Sequence, residues 1–272
     1  MASDRHLRHY PPRDIEHWYD MTHRPYNIAH QGASASCPPN TLAAFRRARE
    51  MGADIIELDV TRTLDGVVVV SHDLTVDRCT DGHGYIPEMR LAEVKRLDAG
   101  IRFGEEFAGE RIPTLEEVIA WAQQNPIRLC IEVKGDTLAR YLEAGQATVE
   151  LLRRCHYLQP VTLTCFNADC IRAMKEQEPL LSWAFDPDRS RPYTGWELCQ
   201  QVLSCGANFL LHEHRTLTAE IVDEAHQHGF AVWTWTVDDP ADMRRVMALG
   251  VDGIMTNRPD LLKAVQEAWG RG

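Results

Sequence analysis

The stretch from Ala231 to Trp269, AVWTWTVDDPADMRRVMALGVDGIMTNRPDLLKAVQEAW, decides the fold. A short apolar run, Ala231 to Thr236, gives way to a segment of helical period from Pro240, and the alternation starts again with Asp252 to Met255 and a second helical segment from Pro259. Repeated strand–helix units of this kind lay their strands parallel, because each helix carries the chain back to the edge where the next strand begins. Upstream the unit recurs, with strands expected at Tyr26–Ala29, Ala53–Val60, Ile127–Val133, Val161–Cys165, Leu181–Phe185 and Ala207–Leu211. Helices are expected over about Asn40–Met51, Leu115–Gln124 and Leu138–Arg154, and from Ala168, Gly195 and Thr218. That makes eight βα units, the number that closes a barrel. The expected class is therefore α/β, a (β/α)8 TIM barrel. A doubly wound open sheet shares the local pattern, but no Gly-x-Gly-x-x-Gly or phosphate-loop pattern supports a nucleotide fold.

Val67–Val70, after Asp65-Gly66, reads as a hairpin arm on the second strand. From about residue 73 to 111 the periodicity weakens and turn residues gather, as in Asp81-Gly-His-Gly84, so a small cap-like insertion after the second strand is expected. Residues 1–25 read as an N-terminal extension and 26–272 as one barrel domain. The extension holds His6, His9, His17 and His23 with Tyr10, Trp18 and Tyr19, and is expected to be a packing arm rather than a metal-capture or membrane-touching one.

The chain has 272 residues, 44% hydrophobic and 25% charged, which fits an ordinary globule and not a disordered, collagenous or coiled-coil chain. A formal charge of -11 repels polyphosphate backbones and argues against nucleic acid or an anionic membrane as partner. No apolar run approaches the roughly 20 residues of a membrane span, and the first residues lack a signal-type apolar region, so a cytoplasmic protein without stable membrane insertion is expected. None of the eight cysteines falls in a C-x-x-C pair, and reduced thiols are expected. No feature of the sequence sets an oligomeric state.

Active sites of such barrels lie at the C-terminal ends of the strands. Polar residues gather there: His30-Gln31-Gly32, Glu57-Leu58-Asp59, Ser71-His72-Asp73, Glu132-Val133-Lys134 and Trp235. Glu57 and Asp59 share a strand face, and Glu132 and Lys134 repeat that spacing one unit later. Unpaired buried carboxylates are costly, so Glu57, Asp59 and Glu132 converging at one mouth imply a hard divalent cation, Mg²⁺ or Ca²⁺, with Mn²⁺ an alternative. Lys134 supplies positive charge for an oxyanion. The competing reading is a structural ion bridge between Glu57 and Lys134. His30 and His72 beside the carboxylates favour catalysis, since imidazoles exchange protons near neutral pH. Trp235 and Phe166 are expected as pocket walls, Trp233 and Trp183 as core, and His212 and His214 as solvated loop residues.

His30-x-Gly32, Pro38-x-Asn40-Thr41, Glu57-x-Asp59, His72-Asp73, Asp77-Arg-x-Thr80-x-Gly82, Ile112-Pro-Thr-Leu-Glu116, Glu132-x-Lys134 and Trp235-Thr-Val237 together resemble the glycerophosphodiester phosphodiesterase family over about residues 27–262. The resemblance implies a TIM barrel with a small insertion after the second strand, and a divalent-metal hydrolase releasing glycerol 3-phosphate and an alcohol. It also implies that Glu57, Asp59 and Glu132 bind the metal, that His30 and His72 form the acid–base pair, and that Lys134 contacts phosphate. Two positions depart from the family: Gln31 replaces an arginine that would grip phosphate, and Pro39 a glutamate. The paired loss leaves local charge balanced, and a shifted substrate preference is expected. Two other functions compete with a glycerophosphodiesterase, a lysophospholipase D acting on lysophospholipids and a non-catalytic phosphodiester-binding barrel.

Overall fold

A computed structural model describes residues 24–159, 161–189 and 191–270. The extension histidines at 6, 9, 17 and 23, with Tyr10, Trp18 and Tyr19, lie outside the described residues.

The strands are β1 (Tyr26–Ala29), β2 (Ile55–Arg62), β3 (Val68–Val70), β4 (Arg128–Val133), β5 (Val161–Cys165), β6 (Ser182–Phe185), β7 (Phe209–Glu213), β8 (Ala231–Trp235) and β9 (Gly253–Thr256). All but β3 run parallel in the order 1-2-4-5-6-7-8-9, and β1 pairs with both β2 and β9, so the sheet closes into a barrel. That closure excludes the open doubly wound sheet. The helices between strands are α1 (Leu42–Glu50), α3 (Leu115–Gln123), α4 (Leu138–Arg154), α5 (Ala168–Gln177), α6 (Gly195–Cys205), α7 (Ala219–Gln227), α8 (Pro240–Ala248) and, after β9, α9 (Pro259–Trp269). Side-chain oxygens of Thr41, Thr114, Thr137, Asn167, Thr194, Thr218 and Asp239 cap the N-termini of all of these but α9, satisfying amides that have no partner within the helix.

β3 is the expected hairpin arm, antiparallel to β2 with Val60 opposite Val70. Beyond it the insertion forms two short 3₁₀ turns (Ile86–Glu88 and Glu105–Phe107) and α2 (Leu91–Val94) around a small apolar core of Val69, Val76, Ile86, Val94, Ala99 and Ile112. The main core lies between sheet and helices. A separate cluster of Ile28, Ile55, Cys130, Ala184, Phe209, Leu211, Trp233 and Met255 fills the lower lumen. Gly253 is required there, because a Cβ on it would lie 2.6 Å from the Trp233 ring.

β7 runs two residues past its expected end, which corrects the reading of two histidines. His212 lies within the strand and both His212 and His214 are buried, not solvated. Arg245 donates to the His214 carbonyl at 2.9 Å and crosses the strand end from α8. Trp183 and Trp233 are core residues, as expected, and the eight cysteines are unpaired. Among the described residues no helix is long and apolar enough to cross a membrane.

Candidate active site

Because side chains alternate along a strand, the residue two beyond each lower-lumen residue also points inward. Ile28 leads to His30, Ile55 to Glu57 and Asp59, Cys130 to Glu132 and Lys134, Ala184 to Asp186, Leu211 to Glu213, Trp233 to Trp235, and Met255 to Asn257. The barrel mouth is thus a polar ring resting on an apolar plug.

Glu57, Asp59 and Glu132 each place one carboxylate oxygen within 4.8 Å of the others. Lys134 Nζ lies 3.1 Å from Asp59 Oδ1 and 2.5 Å from Glu132 Oε1. Its partners are therefore Asp59 and Glu132, which corrects the structural bridge to Glu57 considered from sequence. Burial pushes the Glu57 carboxyl well above the usual carboxylate range, and the charges of Asp59 and Glu132 push it further. Burial acts on Asp59 in the same direction, but the Lys134 ammonium, His72 and the Asn40 amide outweigh it and hold Asp59 low. Glu132 is raised by burial in spite of Lys134, whose own pKa its two carboxylates raise against the effect of burial.

A tight turn after β1 supports this cluster. Gln31 and Asn40 both adopt left-handed backbone (φ 56° and 60°), and a Cβ at Gly32 (φ 83°) would collide with Ala44 at 2.7 Å. Left-handed backbone at a non-glycine residue costs of order 1–3 kcal/mol and persists only where the surroundings enforce it. Here the enforcing bonds run to the carboxylates. Gln31 N–H donates to Glu57 at 2.9 Å, and the Gln31 and Asn40 amides both donate to Asp59 Oδ2, at 2.7 and 2.8 Å. The neutral side chain at position 31 thus orients a carboxylate. Gln31 also lines, with Asn40, His72, Asp73, Arg78, Arg102 and Phe103 among others, a cleft of about 170 Å³ between the mouth and the insertion.

The two histidines are held differently. His30 Nδ1 lies 2.7 Å from Asn257 Oδ1, and the Asn257 amide donates to Asp238 at 2.6 Å, so His30 carries its hydrogen on Nδ1 and leaves Nε2 as an acceptor. Burial lowers the His30 pKa, and the Asp59 charge and the Asn257 bond only partly oppose it. His72, on the rim after β3, meets Asp73 Oδ1 through Nδ1 at 2.7 Å, while Arg78 grips Asp73 through Nε and one terminal nitrogen. Phe166 and Trp235 meet edge to face with centroids 6.0 Å apart, and Lys134 Nζ lies 5.8 Å from the Phe166 ring. Every site residue expected from sequence therefore lies at the mouth or its rim. Sequence reasoning missed Asn40, Asn257, Asp238 and Asp186; extending the inward alternation two residues past Met255 and Ala184 would have found Asn257 and Asp186.

A model of the glycerophosphoryl diester phosphodiesterase family matches residues 30–261. The chain is 38% identical over 238 residues to the glycerophosphodiester phosphodiesterase of Caldanaerobacter subterraneus subsp. tengcongensis, covering 86% of this chain and 95% of that protein. It is 30% identical over 254 residues to a Bacillus subtilis glycerophosphodiester phosphodiesterase, covering 89% and 86%. The solved structure of an Oleispira antarctica phosphodiesterase in complex with the product sn-glycerol-3-phosphate is similar with a TM-score of 0.82 at 29% identity, covering 88% of this chain and 96% of that one.

Proposed function

This chain belongs to the glycerophosphoryl diester phosphodiesterase family, and from that premise we propose that it hydrolyses small glycerophosphodiesters to glycerol 3-phosphate and an alcohol, using a divalent cation and a histidine pair. The observation that carries this reading is the convergence of Glu57, Asp59 and Glu132 within 4.8 Å beside Lys134 and two imidazoles. The donor set suits a hard cation. It is all oxygen, and three carboxylates converge beside one ammonium, that of Lys134. Glu57, Asp59 and Glu132 would hold such an ion, Mg²⁺, Ca²⁺ or Mn²⁺, which when bound supplies positive charge for the nonbridging phosphoryl oxygens.

Lys134 adds its ammonium to the same oxygens, stabilising the charge that develops as the nucleophile attacks. His30, kept neutral by burial and fixed by Asn257, takes the nucleophile's proton on Nε2. The nucleophile is water, or the neighbouring glycerol hydroxyl, which forms a cyclic phosphate that water then opens to glycerol 3-phosphate. His72, fixed through Nδ1 by Asp73, gives the leaving alkoxide its proton from Nε2. Phe166 and Trp235 wall the substrate. The test is glycerol 3-phosphate release from a panel of glycerophosphodiesters and lysophospholipids. Release from the small diesters is expected, with losses of about 10²-fold or more in His30→Ala and His72→Ala. Cleavage of lysophosphatidylcholine alone would contradict the small-diester reading, and unchanged rates in both variants would contradict the histidine roles.

A further inference from the structure

The cleft between the mouth and the insertion carries a charge that has no part in the chemistry above. Among the described residues Asp73 is the one carboxylate in its wall, and Arg78 neutralises it through contacts at 2.7 and 3.0 Å. Arg102 lines the same cleft and forms no ion pair among the described residues. Its guanidinium is held all the same. Nε donates to the carbonyl of the buried Thr80. The turn that bears it is fixed by Asp98, whose carboxylate accepts from Gly100 and Ile101 N–H at 2.9 Å and from Gly109 N–H at 2.7 Å. A guanidinium anchored through Nε keeps its two terminal nitrogens as a fork for an anion.

His72, the acid for the leaving alkoxide in the reading above, lines this cleft too, so the leaving alcohol departs into it. The rest of the wall adds no charge against an anion. Pro38, Pro39, Val70 and Ile112 are apolar, and Gln31 and Asn40, which reach the carboxylate cluster, are neutral amides. Pro39 stands where the family carries a glutamate, and a carboxylate in this wall would repel an anion. On a chain of formal charge -11, an anionic group is drawn in only by such a local cation, whereas an ammonium on the alcohol would meet Arg102 as a like charge. We propose that Arg102 determines specificity by binding an anionic group on the leaving alcohol, so that this chain favours glycerophosphodiesters whose alcohol bears a carboxylate or a phosphate. The proposal rests on the phosphodiesterase reading. The recognition chemistry is the same for both anions.

The test compares kcat/KM on matched substrates. In the first pair, glycerophosphoserine is set against glycerophosphoethanolamine, which lacks only the carboxylate. In the second, the glycerophosphodiester of ethylene glycol phosphorylated on its far hydroxyl is set against the same diester without that phosphate. Wild type is expected to prefer the anionic member of at least one pair by about tenfold at low salt, the worth of one charge-assisted hydrogen bond. The pair showing the preference identifies which anion is bound. Arg102→Gln should cut that ratio below about twofold, and Arg102→Lys, which keeps the charge but not the fork, should hold it in between. In wild type, raising the ionic strength to about 0.5 M should shrink the ratio, because Arg102 is open to solvent. A ratio unchanged in Arg102→Gln, or untouched by salt in wild type, would overturn the proposal. Indifference of wild type to both pairs would overturn it without any variant. A wild type that cleaves none of these diesters would instead sink the phosphodiesterase reading.

Discussion

Two residues separate Ile55 from Glu57, Cys130 from Glu132 and Leu211 from Glu213, and along each strand that step carries the lumen from hydrocarbon to charge. Below the step the charged groups around the barrel's floor are paired. Arg24 holds Asp54 with two contacts at 2.7 and 2.8 Å while Asp54 also accepts from Asn27 N–H, and Asp252 accepts from Val232 N–H and lies 2.9 Å from His226 Nε2. Above the step the charges are left unbalanced. Glu57, Asp59 and Glu132 crowd within 4.8 Å of one another with the Lys134 ammonium against two of them, and the inward-facing Thr164 Oγ1 is buried without a hydrogen-bond partner among the described residues. One end of the barrel pairs its charges for stability, and the other gathers three carboxylates around a single ammonium.

The sharpest way to break this contrast is to neutralise one charge at the mouth. Glu57→Gln keeps the acceptor for Gln31 N–H and relieves repulsion from Asp59 and Glu132. Activity should fall by at least about 10²-fold, since losing a ligand costs more than losing a group that supports one. The metal-free protein should melt no lower than wild type. A lower melting temperature would mean that the cluster is structural. The mirror-image change is Trp233→Ala in the plug, where Trp233 packs on Phe209 at 4.6 Å between ring centroids. It should cost about 3–5 kcal/mol of stability in denaturant melts while the folded fraction keeps its selectivity for substrates.

A smaller effect tests the hold on His30. Because burial lowers its pKa, His30 stays neutral through neutral pH, and kcat/KM should fall only as pH drops through a value below about 6.5. Asn257→Leu removes a bond that raises that pKa. The acidic limb should therefore move to still lower pH, and kcat should drop about 10–100-fold. A profile displaced upward, or left in place, would contradict this positioning.

Much of the fold was legible because period and strand-end chemistry are local. β1, β5 and α4 have their expected bounds, and the carboxylates, Lys134 and both histidines were all marked by strand-end position. Contacts set by barrel closure were not legible. Asn257 meets His30 across 227 residues, and Asn40 reaches Asp59 only because left-handed turns at Gln31 and Asn40 fold that loop back on the cluster. The competing reading of a bridge from Lys134 to Glu57 fails because Lys134 meets Asp59 and Glu132; strand register decides which carboxylates an ammonium reaches. His212 escaped because β7 continues two residues beyond its apolar run.

The most direct measurement is glycerol 3-phosphate release by EDTA-stripped wild type and Glu57→Gln, each resupplied with Mg²⁺, Ca²⁺ or Mn²⁺ in turn. If the mouth's unbalanced charge exists to hold a cation, stripped wild type is inactive, at least one ion restores it, and Glu57→Gln stays inactive at the ion concentration that saturates wild type. Full-rate hydrolysis by the stripped protein, with no response to any ion, would contradict the account.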